Sequence, residues 1–310
     1  MYFILINVYC FTIIVALSCA QHTRYLSRSV HIAGGKISEG SKILTKSVYL
    51  LPLLGLLHGH QVSCAELHGF IGTGLEYAPV YSGARQYSVQ PGFQAGGTIQ
   101  GEHWGALTLS SDGVEWDLSP DTPFSASLLV YIDDGRDEVI STPFSHKENN
   151  ELKGMGDLPD IPMAGVSVSY KMDALALWFR GLAATRTREY GGVPLGRMYK
   201  FASGGQFTMF ELQNVALSVG SDLTWASSGY QQGHFGVSAQ QALTTRFDKY
   251  TPGSGLQSGG IYTDLTYRLT DHLIAGLNLR ADYLFDKAAR SPLVDKRTGY
   301  SVGSLIQYSF

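Results

Sequence analysis

The sequence predicts an all-β fold: an up-and-down antiparallel β-barrel that crosses a membrane. It has about twelve strands, with ten to fourteen compatible with the same segments. Three observations lead there. Apolar and small polar residues alternate with period two in segment after segment, which marks strands with different surroundings on their two faces. The composition joins 36 glycines and 12% aromatic residues to only 16% charged ones, below the usual quarter and suited to a barrel wall. Finally, the connections between segments are alternately tight and long, as in barrels with short turns at one membrane face and long loops at the other.

Residues 1–65 read as a presequence. In "KILTKSVYLLPLLGLLHGHQVSCAE", Lys42 and Lys46 form a charged start, Val48 to Leu57 a short apolar stretch, and Ser63-Cys64-Ala65 a small-residue cleavage site. A signal peptide at about 42–65, cut between Ala65 and Glu66, is the expectation. Its apolar stretch is too short to span a bilayer, which takes about 20 residues. Residues 1–41 read as a start assigned too far upstream, with initiation at Leu44 giving a compact signal. The alternative is that the apolar run "MYFILINVYCFTIIVALSCA" forms a membrane helix. The three cysteines, Cys10, Cys19 and Cys64, all precede the cut, so residues 66–310 hold neither a disulfide nor a thiolate metal site. Five of the 23 basic and one of the 26 acidic residues also precede it, which leaves a formal charge of −7 for residues 66–310. No basic stripe remains for nucleic acid.

Beyond residue 66 no apolar run reaches the length of a membrane helix. Candidate strands fall at 68–78, 86–98, 103–110, 113–119, 123–132, 161–171, 173–186, 205–213, 215–227, 258–270, 272–285 and 299–310. In "VALSVGSDLTWA", Val215, Leu217, Val219, Leu223 and Trp225 oppose Ala216, Ser218, Gly220, Asp222 and Thr224. In "GIYTDLTYRL", Ile261, Leu265 and Leu269 oppose Asp264 and Arg268. In "HLIAGLNLRADYLF", Leu273, Leu277, Leu279 and Phe285 oppose Asn278, Arg280 and Asp282. A soluble barrel with an apolar interior also alternates, so the pattern by itself does not orient the wall. The apolar rows carry no charge, as a lipid-facing surface requires, since Arg or Lys at mid-membrane costs roughly 2–4 kcal/mol. On the membrane reading Arg180, Asp222, Asp264, Arg268, Asn278, Arg280 and Asp282 line the lumen.

The connections 119–123, 171–173, 213–215 and 270–272 are tight, whereas 133–160, 187–204, 228–257 and 286–298 are long. Reading "SSDG", Ser110 to Gly113, as a hairpin turn keeps the long stretch 133–160 on the long-loop side and makes the strand count even. These features are those of a Gram-negative outer-membrane barrel with short periplasmic turns, long extracellular loops and outer-membrane lipids around it. The chain ends on "GYSVGSLIQYSF", where Tyr300, Val302, Ile306, Tyr308 and Phe310 share a face. This segment alone fits a soluble barrel equally well. In a membrane barrel it is the closing strand, and Tyr308 and Phe310 form the terminal signal read by the barrel assembly machinery.

Residues from about 70 onward resemble the MltA-interacting protein (MipA)/OmpV family of outer-membrane proteins. The resemblance rests on Tyr77, Pro79, Tyr81 and Gly83 in "GLEYAPVYSGARQYSVQPGF", on Gly154, Gly156 and Asp157 in "LKGMGDLPD", on Phe235 to Ser238 in "HFGVSAQQA", and on Ser291-Pro292 leading to Phe310. It implies a non-catalytic envelope scaffold linked to murein synthesis, with a lytic transglycosylase and a penicillin-binding protein as partners. A narrow small-solute channel and a surface adhesin acting through the long loops are the alternatives.

The residues offer little for catalysis. His68, His103, His146, His234 and His272 include no metal-spaced pair. His234, Ser238 and Asp248 are the residue types of a nucleophile set, but no G-x-S-x-G elbow surrounds Ser238. The expectation is therefore no enzyme and no cofactor. "SAQQALTTRFDKY" suits a short helix capped by Ser238, folded over or into the barrel mouth.

Overall fold

The computed structural model describes residues 66–142 and 147–310. Ala65, the cysteines, the presequence and His146 lie outside these residues, and Glu66 opens the first strand.

Twelve strands form the closed wall. They are β1 (Glu66–Pro79), β2 (Tyr87–Gly101), β3 (Gly105–Ser110), β4 (Gly113–Asp117), β5 (Phe124–Asp133), β8 (Ile161–Met172), β9 (Leu175–Ala184), β12 (Tyr199–Leu212), β13 (Val215–Ala226), β14 (Gly255–Arg268), β15 (Leu273–Leu284) and β16 (Thr298–Ser309). Each pairs antiparallel with its neighbours in chain order. Two small hairpins, β6 (Ile140–Thr142) with β7 (Lys147–Asn149) and β10 (Glu189–Tyr190) with β11 (Val193–Pro194), sit in the long loops. So do the helices α1 (Ser228–Phe235), α2 (Ala239–Thr244) and α3 (Asp286–Ala289).

The period-two rows become the two faces of this wall. On β16, Tyr300, Val302, Ile306 and Tyr308 are exposed on the outer surface, as are Leu277 and Leu279 on β15. Polar residues between them point into the barrel. Such an inversion, apolar outside and polar inside, is that of a membrane-spanning barrel. β12 begins six residues before the strand expected at 205–213. Its first turn of sequence, "YKFASGG", hides the alternation behind a lysine and small residues.

Closure is made by β1 and β16, in register from Phe70↔Ser309 to Tyr77↔Val302. The ladder extends to the last residue: Phe310 N–H donates to Gly69 O at 2.9 Å, and Gly69 N–H to Phe310 O at 2.8 Å. A side chain at Gly74 would bring its Cβ within 1.8 Å of Ser304 O, so glycine there lets the first and last strands meet.

The main buried apolar cluster lies at the long-loop end, where loops meet the ends of wall strands. Leu152, Met155, Leu158, Val237 and Leu293, from three different loops, are 2% exposed or less and join strand ends such as Leu129 and Met163 in one cluster. Backbone bonds tie the loops together, with Val237 and Tyr250 exchanging two (2.8 and 2.9 Å) and Asp295 N–H donating to Gly83 O at 2.9 Å. The barrel therefore carries a folded cap with its own core.

Deleting Phe310 removes two closure bonds. The heat-modifiable fraction seen by gel shift in isolated membranes is expected to drop, while replacement of exposed Leu243 by Ser leaves it unchanged.

Candidate functional site

Within the wall, the predicted polar row is brought together in two groups. Arg280 donates through both Nη atoms to Asp222 (2.7 and 3.0 Å) and through Nε and one Nη to Asp282 (2.7–2.9 Å). Asp222 pairs in register with Gly260, and Gly260 with Asp282. A Cβ on Gly260 would lie 2.4 Å from the guanidinium, so this glycine opens the path by which Arg280 reaches across β14 to β13. Asn278 donates to Asp264 at 2.7 Å. Arg180 lies 6.0 Å over the Trp178 ring, and Arg268 ends β14 on the Asp264 side of the strand, at the short-turn end. Tyr308 and Phe310 stack at 6.3 Å on the outer surface.

At the long-loop end the cap lowers helix α1 onto the wall. Ser227 caps this helix, its side chain accepting from Tyr230 N–H, and the helix presents Tyr230 and His234 one turn apart, their rings stacked at 4.5 Å. They meet a buried ion pair formed by Asp133, the last residue of β5, and Lys200, near the start of β12. Tyr230 Oη donates to Asp133 Oδ1 at 3.1 Å and accepts from Lys200 Nζ at 3.3 Å. Lys200 is 5% and Asp133 6% exposed. A charged pair so deeply buried is stable only when such additional bonds surround it. His234 Nε2 stands 3.7 Å from Asp133 Oδ2. Arg136 donates to the backbone carbonyl of His234 at 2.9 Å and to Tyr190 Oη at 3.2 Å, and Arg188 bonds Pro159 O. Burial pushes the His234 imidazole below its ordinary pKa, aided by Arg188 and Arg136 and opposed by Asp133.

Sequence reasoning did not single out Asp133, Lys200, Tyr230, Arg136 or Arg188. A signal existed for Asp133: it continues the inward row Ser125, Ser127, Leu129, Tyr131 of its strand as a lone charge. The polar atoms of Ser238 are engaged with partners other than His234. Its Oγ donates to Gly191 O at 2.6 Å and accepts from Gln241 N–H, while Ser238 N–H donates to Gln241 Oε1. This capping box is the expected cap, on a helix shorter than the segment suggested. His272, at a tight turn, lies 2.9 Å from Ser309 O through Nδ1.

On the outer surface of the cap, a cavity of about 320 Å³ is lined by Gly156, Asp157, Glu189, Tyr190, Gln240 and Thr244. The two glycines of "GMGD", Gly154 and Gly156, take positive φ, and their N–H groups converge on Glu138 Oε2 at 3.1 and 3.0 Å. That anion nest is thus filled by a side chain of the cap itself.

The sequence model of the family described as MltA-interacting protein MipA matches residues 71–310. None of the curated proteins matches the chain. Solved structures similar to it include OmpT of Vibrio cholerae (8% identity, 81% of this chain and 99% of that one, TM-score 0.36). An anion-selective porin from Comamonas acidovorans (9%, 80% and 99%, 0.35) and Neisserial surface protein A (9%, 80% and 100%, 0.26) are two more.

Two outcomes follow for the cap. Lys200→Met leaves Asp133 charged and uncompensated, and is expected to cost about 3–5 kcal/mol in urea unfolding followed by tryptophan fluorescence. Adding Asp133→Asn is expected to recover part of that loss. Because the folded pKa of His234 is depressed, its contribution is complete above the ordinary value near 6.5 and is lost as pH falls toward the folded value. Limited proteolysis of the loops is expected to accelerate on acidification across that window, and less so in His234→Gln.

Proposed function

We propose that the chain, which belongs to the MltA-interacting protein (MipA) family, acts in the outer membrane as a non-catalytic envelope scaffold and not as an open diffusion pore. The observation that carries this reading is the cap: the long loops share one buried core, and its helix α1 sits on the Asp133–Lys200 pair at the long-loop end of β5 and β12. A sieve keeps its mouth open, whereas here the buried apolar and ionic contacts favour a closed one. The family description names MltA as the interaction partner of its namesake; on this reading the partner classes are a lytic transglycosylase and a penicillin-binding protein. Both would meet the short-turn end, where Trp104 and Leu118 stand exposed beside the turns. Export through a signal cleaved after Ala65, and recognition of Tyr308 and Phe310 by the assembly machinery, belong to the same proposal.

A narrow small-solute channel is the second reading. It is favoured by the charged interior group of Arg280, Asp222 and Asp282. Planar-bilayer recording of the purified barrel, paired with pull-down from crosslinked envelopes, separates the two. The scaffold reading expects electrical silence and recovery of murein enzymes. Stable single-channel steps without such recovery would overturn it.

A further inference from the structure

The inward-facing residues of the wall fall into two levels that differ in their access to solvent. At the long-loop end Leu129, Gly165, Leu182, Lys200 and Ala226 stand in register across β5, β8, β9, β12 and β13. The side chains in this row are 5% exposed or less. Leu284 of β15 and Ser88 and Gln90 of β2 are buried at the same end. Helix α1 lies at this level. Its Tyr230 bonds Asp133 at the end of β5, and its Gln231 donates to Ala226 O and Gly255 O, where β13 ends and β14 begins. Its last residue, Phe235, packs with Leu284 at the end of β15. β5 and β15 are six places apart in the ring of twelve strands. The helix, about 12 Å long, therefore joins opposite sides of the barrel.

Below this level the interior meets solvent. Asp282 and Arg280 point inward, yet their side chains are 39% and 27% exposed. Nearer the short turns Asp264, Thr266 and Gly276 are half-buried and Glu211 is exposed. The inward neighbours Gly220, Gly276 and Ser301 are small and leave room between the larger side chains. Because the ring of strands is closed, accessible surface on inward-facing residues is reached through the lumen. The charge of this lower level is one-sided. β1, β4 and β12 supply Glu76, Glu115, Asp117 and Glu211, while β13, β14 and β15 supply Asp222, Asp264 and Asp282. Against these seven carboxylates stand Lys171, Arg180, Arg268 and Arg280. Glu66 at the rim adds one more acid. An enclosed space lined with an excess of one charge, behind low-dielectric walls, raises the local concentration of the opposite ion.

We infer that the barrel is a one-ended chamber: helix α1 plugs it at the long-loop end, and small solutes enter from the short-turn end, cations in preference to anions. The inference needs only the closed wall and its cap, and it holds whichever partner meets the short turns. Residues 66–310 contain no cysteine, so a single introduced thiol reports access. Ser301→Cys places one inside the wall, opposite Arg280 in the ladder. Gln206→Cys, facing inward opposite Gly220, replaces it if that barrel fails the gel shift. Asn214→Cys marks a short turn, and Leu243→Cys marks the cap. Each barrel carries an affinity tag ahead of Glu66, which lies at the short-turn end, and is reconstituted sparsely in lipid vesicles. Capture on the tag separates vesicles with the short turns outside from those with the cap outside. Impermeant thiosulfonates bearing trimethylammonium or sulfonate are then added. Asn214→Cys reacts in the captured vesicles and Leu243→Cys in the others, which verifies the sorting. The expected result is that the interior thiol reacts in the captured vesicles alone. Its cation-to-anion rate ratio there is expected to exceed that at Leu243→Cys by at least about threefold. Reaction in the cap-out vesicles, no reaction in either, or a ratio no higher than that at Leu243→Cys would each overturn the inference.

Discussion

Everything in this molecule depends on one rule of the bilayer: a backbone N–H or C=O in hydrocarbon must find its partner within the protein, at a cost of several kcal/mol when it does not. A closed ladder is the β solution, and the pairing of β1 with β16 is where the circle is completed. The glycines of β1 serve that closure, as Gly74 shows by its contact with Ser304 O. The orderly final strand, unusual for a chain end, follows from the same rule. The β3–β4 hairpin is shorter than its neighbours, so that among the described strands β2 above Gly96 pairs with β1 alone, and Pro91 lies in that stretch.

The second constraint is the cost of burying charge. Asp133 and Lys200 are held out of water where the cap meets the wall, and Tyr230 from helix α1 bonds both. The pair therefore fixes where the cap sits as well as being sheltered by it. Farther down, Arg280 meets two carboxylates from different strands, which gathers three interior charges in a single group. Apolar loop packing above and ionic packing below divide the interior into two levels with different chemistry.

How much of this was legible in the sequence depends on the range of the interaction. Period-two alternation is local, so the strands of "VALSVGSDLTWA" and "HLIAGLNLRADYLF" could be placed nearly to their ends, and parity of loop lengths resolved the Ser110–Gly113 turn. The start of β12 was obscured because Lys200 sits in it, and that lysine is there for a partner 67 residues away. The cap core was hidden for the same reason. Leu152, Val237 and Leu293 are apolar residues scattered through glycine-rich loops with no period, and only their meeting in space gives them a role. The interior rows could be listed from the strands, but the reach of Arg280 to β13 depends on a glycine on the strand between them, which no pattern of polarity announces.

The cap also bears on how this surface is seen from outside. In many barrels long loops are independent and each can change its sequence alone. Here Tyr81, Met155, Val237 and Leu293 pack in a common core, so a change in one loop is felt in the others. An antibody or phage receptor-binding protein that recognises this end must read a composite surface assembled from several loops, and a peptide copied from any one of them lacks the shape it has in the folded protein. The side facing the environment is thus the more tightly coupled part of the molecule, with less freedom to drift than its exposed position suggests.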